Sequence, residues 1–125
     1  MTELAGLKVL VVEDEAMVAM LIEDMLEDLG CTVVGSIASL AKACDAAATA
    51  DMDVAMLDMN IAGQKVFPVA DILRERRIPF LFSSGYGEAG LPAEYLASQV
   101  VPKPFSQESL KEKLVLALQG KDTPA

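Results

Sequence analysis

The chain has no histidine and no tryptophan, only two cysteines, and ten lysines and arginines against nineteen aspartates and glutamates. Without histidine there is no zinc site of the H-E-x-x-H type, no Ser-His-Asp triad and no phosphohistidine carrier. Cys31 and Cys44 form neither a C-x-x-C pair nor a ligand cluster, and both lie in apolar or small-residue stretches, so they read as reduced core residues. The shortage of cations leaves a net charge of −9 and a pI near 4.3. Nucleic acid is therefore a poor main partner, because phosphate backbones are bound by cationic surfaces. No apolar run approaches the roughly 20 residues of a membrane span. Met1-Thr2-Glu3-Leu4 is acidic, unlike a signal peptide. The expectation is a cytoplasmic protein, a monomer or weak dimer.

What is present suits one folded domain. A chain of 125 residues with 53% hydrophobic residues and a mean hydropathy of +0.38 can bury an ordinary core without disulfide or metal staples. Short apolar, β-rich runs alternate with helical ones. Lys8-Val9-Leu10-Val11-Val12 is a continuous run of the kind found in a sheet covered on both faces. It leads through Glu13-Asp14-Glu15 into a helix over 16–29, with Val18, Leu21, Ile22, Met25 and Leu29 on one buried stripe and Gly30 as its stop. A second strand over 32–35 precedes a helix capped by Ser39 and reaching Thr49.

The third strand, 54–57, ends at Asp58. A loop with Gly63 leads to a helix over 66–76, a fourth strand over 80–82, and a weak fourth helix within 88–97 that Gly90 and Pro92 interrupt. A fifth strand, 99–101, gives way to Pro102-Lys103-Pro104-Phe105. Ser106 caps a last helix to Gln119, and 120–125 reads as a flexible tail beyond a core of about 7–119. Such alternation predicts an α/β fold: a doubly wound, flavodoxin-like parallel sheet of five strands, order 2-1-3-4-5, with helices on both faces.

In such sheets ligands bind at the carboxyl ends of the strands. Strand one delivers Glu13 and Asp14 there, strand three Asp58, strand four Ser84 and strand five Lys103. Crowded carboxylates repel unless a cation neutralises them, and Mg²⁺ takes one or two carboxylates, waters and ligand oxygens. An ionised carboxylate is itself a nucleophile toward phosphorus, so central Asp58 is the candidate phosphoacceptor, with Lys103 and Ser84 to contact the phosphoryl oxygens. Taken singly, each residue has a plainer explanation. Asp58 suits a turn, Glu13-Asp14-Glu15 a helix N-terminus, and Lys103 a surface. Taken together, those explanations require a coincidence at four strand ends.

Four segments carry a resemblance. Val11-Val12-Glu13-Asp14-Glu15, Met56-Leu57-Asp58-Met59-Asn60, Phe82-Ser83-Ser84-Gly85-Tyr86-Gly87 and Val101-Pro102-Lys103-Pro104-Phe105 resemble, in order and spacing, the receiver domain of two-component response regulators. The third is similar to the F-A-T-G-Y-G motif of stand-alone bacterial receivers. The resemblance implies that Glu13 and Asp14 hold Mg²⁺ with Asp58 and the Asn60 backbone carbonyl. It further implies that Asp58 is phosphorylated, that Ser84 swings onto the phosphoryl group, that Lys103 pairs with it, and that Pro104 follows a cis peptide bond. The donor would be a histidine kinase or histidine phosphotransfer protein. Output would pass by protein contact to an unknown partner, over the face of the fourth helix, fifth strand and fifth helix. The chain would not be a turnover enzyme on a separate substrate, only a catalyst of its own phosphorylation and dephosphorylation.

Two positions depart from the family pattern. Ser84 stands where Thr is usual, and Val100 stands where an aromatic usually rotates in step with that hydroxyl; Tyr86 is a candidate substitute. Val100 keeps a second reading open, an adaptor receiver that is never phosphorylated. A flavin carrier is disfavoured by Glu13-Asp14-Glu15 where a phosphate cradle would sit, and a Mg²⁺-dependent phosphatase by Asn60 where a second acid is expected. Met17, Met20 and Phe105 lie near the acidic pair as a candidate apolar patch for a donor helix.

Overall fold

The computed structural model describes residues 4–84, 91–95, 98–103 and 105–119. In chain order they form β1 (Lys8–Val12), α1 (Ala16–Asp28), β2 (Thr32–Ile37), α2 (Leu40–Thr49), β3 (Val54–Asp58), β4 (Asn60–Ile61) and β5 (Gln64–Lys65). There follow α3 (Phe67–Glu75), β6 (Phe80–Ser84), a 3₁₀ turn at Ala93–Tyr95, β7 (Gln99–Pro102) and α4 (Gln107–Gln119). The main sheet has the order β2-β1-β3-β6-β7, all parallel, which is 2-1-3-4-5 when its own strands alone are numbered. The fold is the expected flavodoxin-like one.

Alternation along the strands splits the core in two. Leu10, Val12, Ala55, Leu57, Phe82 and Val100 face α2 and α3, where Ala43, Ala47, Val69, Ala70 and Leu73 meet them. Val9, Val11, Val54, Met56, Leu81 and Val101 face α1 and α4, against Ile22, Leu26, Leu110 and Leu114. Central β3 is buried at all five positions. A sheet covered on both faces selects continuous apolar runs, because each successive side chain points into a core.

Local chemistry sets the helix ends. Ser39 Oγ accepts from the Lys42 amide and Ser106 Oγ from the Ser109 amide, both at 3.1 Å, as N-caps. Arg76 Nη1 donates to the carbonyls of Ala47 at 2.6 Å and Ala50 at 3.1 Å, tying the end of α3 to the last turn of α2. Gly30 closes α1 at φ +93°, with its amide on the Glu27 carbonyl and the Cys31 amide on the Leu26 carbonyl. That pair is a Schellman motif, which needs a left-handed residue.

Several expectations change. Leu21 was expected on the buried stripe of α1 but is 53% exposed. The buried line runs through Ala19, Ile22 and Leu26, and Leu21 lies about 100° round the helix from Ile22. The strands run further than the apolar runs: β2 reaches Ile37, β6 Ser84 and β7 Pro102, because the ladder continues through Val12↔Ile37 and Ser84↔Pro102. The Gly63 loop is an antiparallel hairpin, β4 with β5, whose turn residues Ala62 and Gly63 have φ of +50° and +83°. Positive φ at both centres fits the twist of a two-residue hairpin. Within 88–97 the described residues hold only the 3₁₀ turn at Ala93–Tyr95. Leu91 and Pro92 are not helical, and the remaining residues of the expected fourth helix, 88–90 and 96–97, lie outside the described residues, as does the tail at 120–125. Cys31 is buried and Cys44 half-buried, and neither is in a disulfide.

Gly30→Ala is expected to destabilise the protein by about 1–2 kcal/mol, the cost of a side chain in the left-handed region. The added Cβ would also lie 3.3 Å from Ala5 Cα. A urea denaturation midpoint equal to that of the wild type would contradict this account of the α1 terminus.

Candidate functional site

The parallel register brings the ends of β1, β3, β6 and β7 to one edge, and four segments deliver their polar residues there. Asp14, Glu15, Asp58, Asn60, Gly63, Ser84 and Lys103 line a shallow pocket of about 420 Å³. Glu13 lies beneath it, 2% exposed. One oxygen each from Glu13, Asp14 and Asp58 falls within 4.8 Å of the others. Lys103 Nζ donates to Glu13 Oε1 and to Asp58 Oδ2, both at 3.1 Å. The Lys103 amide donates to the Ser84 carbonyl at 2.8 Å, so the ends of β6 and β7 are bolted together under the pocket.

Backbone amides supply the other donors. Glu15 N–H reaches Glu13 Oε2 at 3.1 Å, Asn60 N–H reaches Asp58 Oδ1 at 3.3 Å, and Ala62 N–H reaches Asp14 Oδ2 at 2.9 Å. The hairpin turn is therefore part of the site's wall. Ser83, in register with Asp58 on the neighbouring strand, has a buried hydroxyl with no hydrogen-bond partner among the described residues.

Charge balance shows what the pocket will accept. Within the close cluster of Glu13, Asp14 and Asp58 the three carboxylates share one ammonium, so full ionisation leaves an excess of two negative charges there. Burial pushes the Glu13 carboxyl up to about 7, against the pull of the Glu15 amide and the Lys103 ammonium, and Asp58 pushes it further the same way. Burial lowers the Lys103 pKa, but the Asp58 and Glu13 carboxylates more than offset this and hold it above its ordinary value. An all-oxygen donor set with surplus negative charge fits a hard divalent cation.

A family model for the response regulator receiver domain matches residues 9–115. The chain belongs to that family. Among solved structures, SdrG from Sphingomonas melonis Fr1 is 35% identical, with 94% of this chain and 99% of that one covered at a TM-score of 0.81. A BeF3-activated conformation of SdrG from Pseudomonas melonis Fr1, also 35% identical, covers 91% and 98% at 0.77. The anti-anti-sigma factor PhyR from Bartonella quintana is 28% identical at 0.79, and the match spans 96% of this chain but half of that one. Comparison with curated proteins finds no significant match.

This receiver gathers Glu13, Asp14, Asp58, Asn60, Ser84 and Lys103 into one cluster around the pocket. Tyr86 and Pro104 lie outside the described residues. Val100 is buried in the core facing α2 and α3, and that same cluster contains an aromatic the sequence reading passed over, Tyr95. The Ala62 amide was also missed, since a backbone donor leaves no mark in residue identity. Among the described residues no helix is long and apolar enough to cross a membrane.

A carboxyl whose pKa is raised on folding leaves stability intact below its unfolded value and erodes it as pH climbs through the folded value. For Glu13 that window runs from 4.5 to about 7. In chelator, the stability of Glu13→Gln relative to wild type is expected to rise as pH increases from about 5 to about 8. A constant difference in urea midpoint across that range would contradict the raised Glu13 pKa.

Proposed function

We propose that residues 1–125 act as one receiver unit that accepts a phosphoryl group on Asp58 from a phosphohistidine donor and signals by protein contact. The donor is a histidine kinase or a histidine phosphotransfer protein. The observation that supports this most is the Lys103 ammonium held 3.1 Å from both Asp58 and Glu13 on the floor of an open acidic pocket. An Asp58 carboxylate oxygen forms the new O–P bond as the donor's P–N bond breaks, and the electron pair of that bond stays on the imidazole nitrogen. No general base is needed, because a carboxylate attacks phosphorus without first giving up a proton. Lys103 offsets charge on the phosphoryl oxygens, and Ser84, at the end of β6, supplies a hydroxyl to them.

Glu13, Asp14 and Asp58, with the Asn60 backbone carbonyl, would hold Mg²⁺. When bound, that ion neutralises phosphoryl charge. Hydrolysis of the acyl phosphate restores Asp58, so the protein resets itself rather than turning over a separate substrate. The BeF3-activated conformation of a 35% identical receiver supports a phosphoryl-responsive site. The likeness to PhyR, an anti-anti-sigma factor, supports output through a protein partner.

The donor is expected to meet α1 beside the pocket. Met17 (85% exposed), Met20 (64%) and Leu21 form an apolar face directly after Glu13-Asp14-Glu15, whereas Phe105 packs onto the core facing α1 and α4.

Acetyl phosphate with Mg²⁺ is expected to add one acid-labile phosphoryl group to the wild type and none to Asp58→Asn, read by mass spectrometry. An unlabelled wild type would instead favour the adaptor reading. Met17→Asp is expected to slow transfer from a phosphorylated histidine phosphotransfer protein by on the order of tenfold, about 1.4 kcal/mol. Labelling by acetyl phosphate should stay unchanged. Equal protein-to-protein rates would remove α1 from the docking surface.

A further inference from the structure

Tyr95 sits at the end of the 3₁₀ turn that follows β6, yet it is 1% exposed. Its ring stacks on Phe67 at 5.8 Å and meets Phe80 at 5.8 Å and Phe82 at 5.7 Å edge-on. Its hydroxyl donates to Asp71 Oδ1 on α3. One turn further along α3, Arg74 holds its guanidinium carbon 4.8 Å from the ring centroid and donates to the Glu94 carbonyl at 3.4 Å. Burial and the adjacent Asp71 carboxylate keep the phenol protonated, hence a donor.

We propose that Tyr95, Asp71 and Arg74 form a latch pinning the Leu91–Tyr95 segment to α3, and that the latch opens when Asp58 is phosphorylated. The opening step rests on the phosphoacceptor reading; the latch itself does not. Two connections join it to the site. Phe82, which touches the Tyr95 ring, lies two residues before Ser84 on β6, and it pairs with Val100, three residues before Lys103 on β7. The latch is two-state because a phenol withdrawn partway from Asp71 would be left buried without an acceptor. Its stable positions are seated on Asp71 or out in water.

Hydrogen exchange by NMR on the full chain tests this, using the amides of Tyr95, which donates to the Pro92 carbonyl, and Ser98, which donates to the Tyr95 carbonyl. Tyr95→Phe keeps the ring and removes only the hydroxyl, while Asp71→Asn and Arg74→Ala alter exposed partners. Without phosphoryl mimic, each variant is expected to exchange these amides about tenfold faster than the wild type. Beryllofluoride with Mg²⁺ is expected to bring the wild type to the variants' rates. Wild-type rates in all three variants would overturn the latch. A beryllofluoride response around Asp58 that leaves Tyr95 and Ser98 unchanged would overturn its opening. No response anywhere would overturn the opening together with the phosphoacceptor reading, and the variant comparison would still decide the latch.

Discussion

Carboxylate crowding is the constraint on which the rest of this structure depends. Glu13, Asp14 and Asp58 converge at the edge of a parallel sheet, with Glu13 out of reach of water and Lys103 the cation held against two of them. Such an arrangement opposes folding unless the charges are matched, because a buried ion left uncompensated is costly. Lys103 can serve both Glu13 and Asp58 only if β7 ends level with β1 and β3, three strands that are not all neighbours. The ladder through Val12↔Leu57, Asp58↔Ser83 and Ser84↔Pro102 secures that level ending. Two apolar cores, one on each face, hold the ladder in place. Hydrophobic burial thus stabilises a polar edge that would not assemble alone.

Much of this was legible in residue order, for an identifiable reason. Strands buried on both faces must be apolar along their buried length, so 9–12, 54–57 and 80–82 announce themselves, and the first polar residue after each falls at or beside the carboxyl edge. Cap chemistry was equally readable at Ser39, Ser106 and Gly30. What escaped had no side-chain signature. The hairpin at Asn60–Lys65 turns through Ala62, which lacks the Asn or Asp that usually marks such a turn, and its contribution to the site is a backbone amide on Asp14. Leu21 was misplaced because apolarity alone does not say where a helical stripe ends. Tyr95 was passed over because its meaning lies in Asp71 and Arg74, 24 residues away in the case of Asp71.

The departure at Val100 takes on a physical sense in three dimensions. A small side chain there belongs to the same buried cluster as Phe82 and Tyr95. The aromatic mass beside β7 is therefore supplied by the segment that leads into the strand, not by the strand itself. A ring carried on a strand can change rotamer while its backbone stays paired. A ring carried on a short 3₁₀ turn takes its backbone with it, because the turn's own hydrogen bonds, Tyr95 to Pro92 and Ser98 to Tyr95, are few and local.

That difference bears on how a signal would leave the site. The pocket is walled by Asp14 and Glu15 just ahead of α1, by the hairpin and by the ends of β6 and β7, and the exposed Met17 and Met20 follow within the first turns of α1, whereas the Tyr95 cluster is packed against α3 on the other face of the sheet. A phosphodonor engaging α1 would leave the Tyr95 side uncovered. β6 is the element common to both: its end carries Ser84 into the pocket while Phe82, two residues earlier, touches Tyr95. On the latch proposal, input and output therefore use opposite faces of one sheet. Surfaces so separated let a donor and an output protein engage the same receiver without competing, and a relay through β6 and Tyr95 would disturb the core on the α3 side while leaving Val9, Val11, Val54 and Met56 packed on the α1 side.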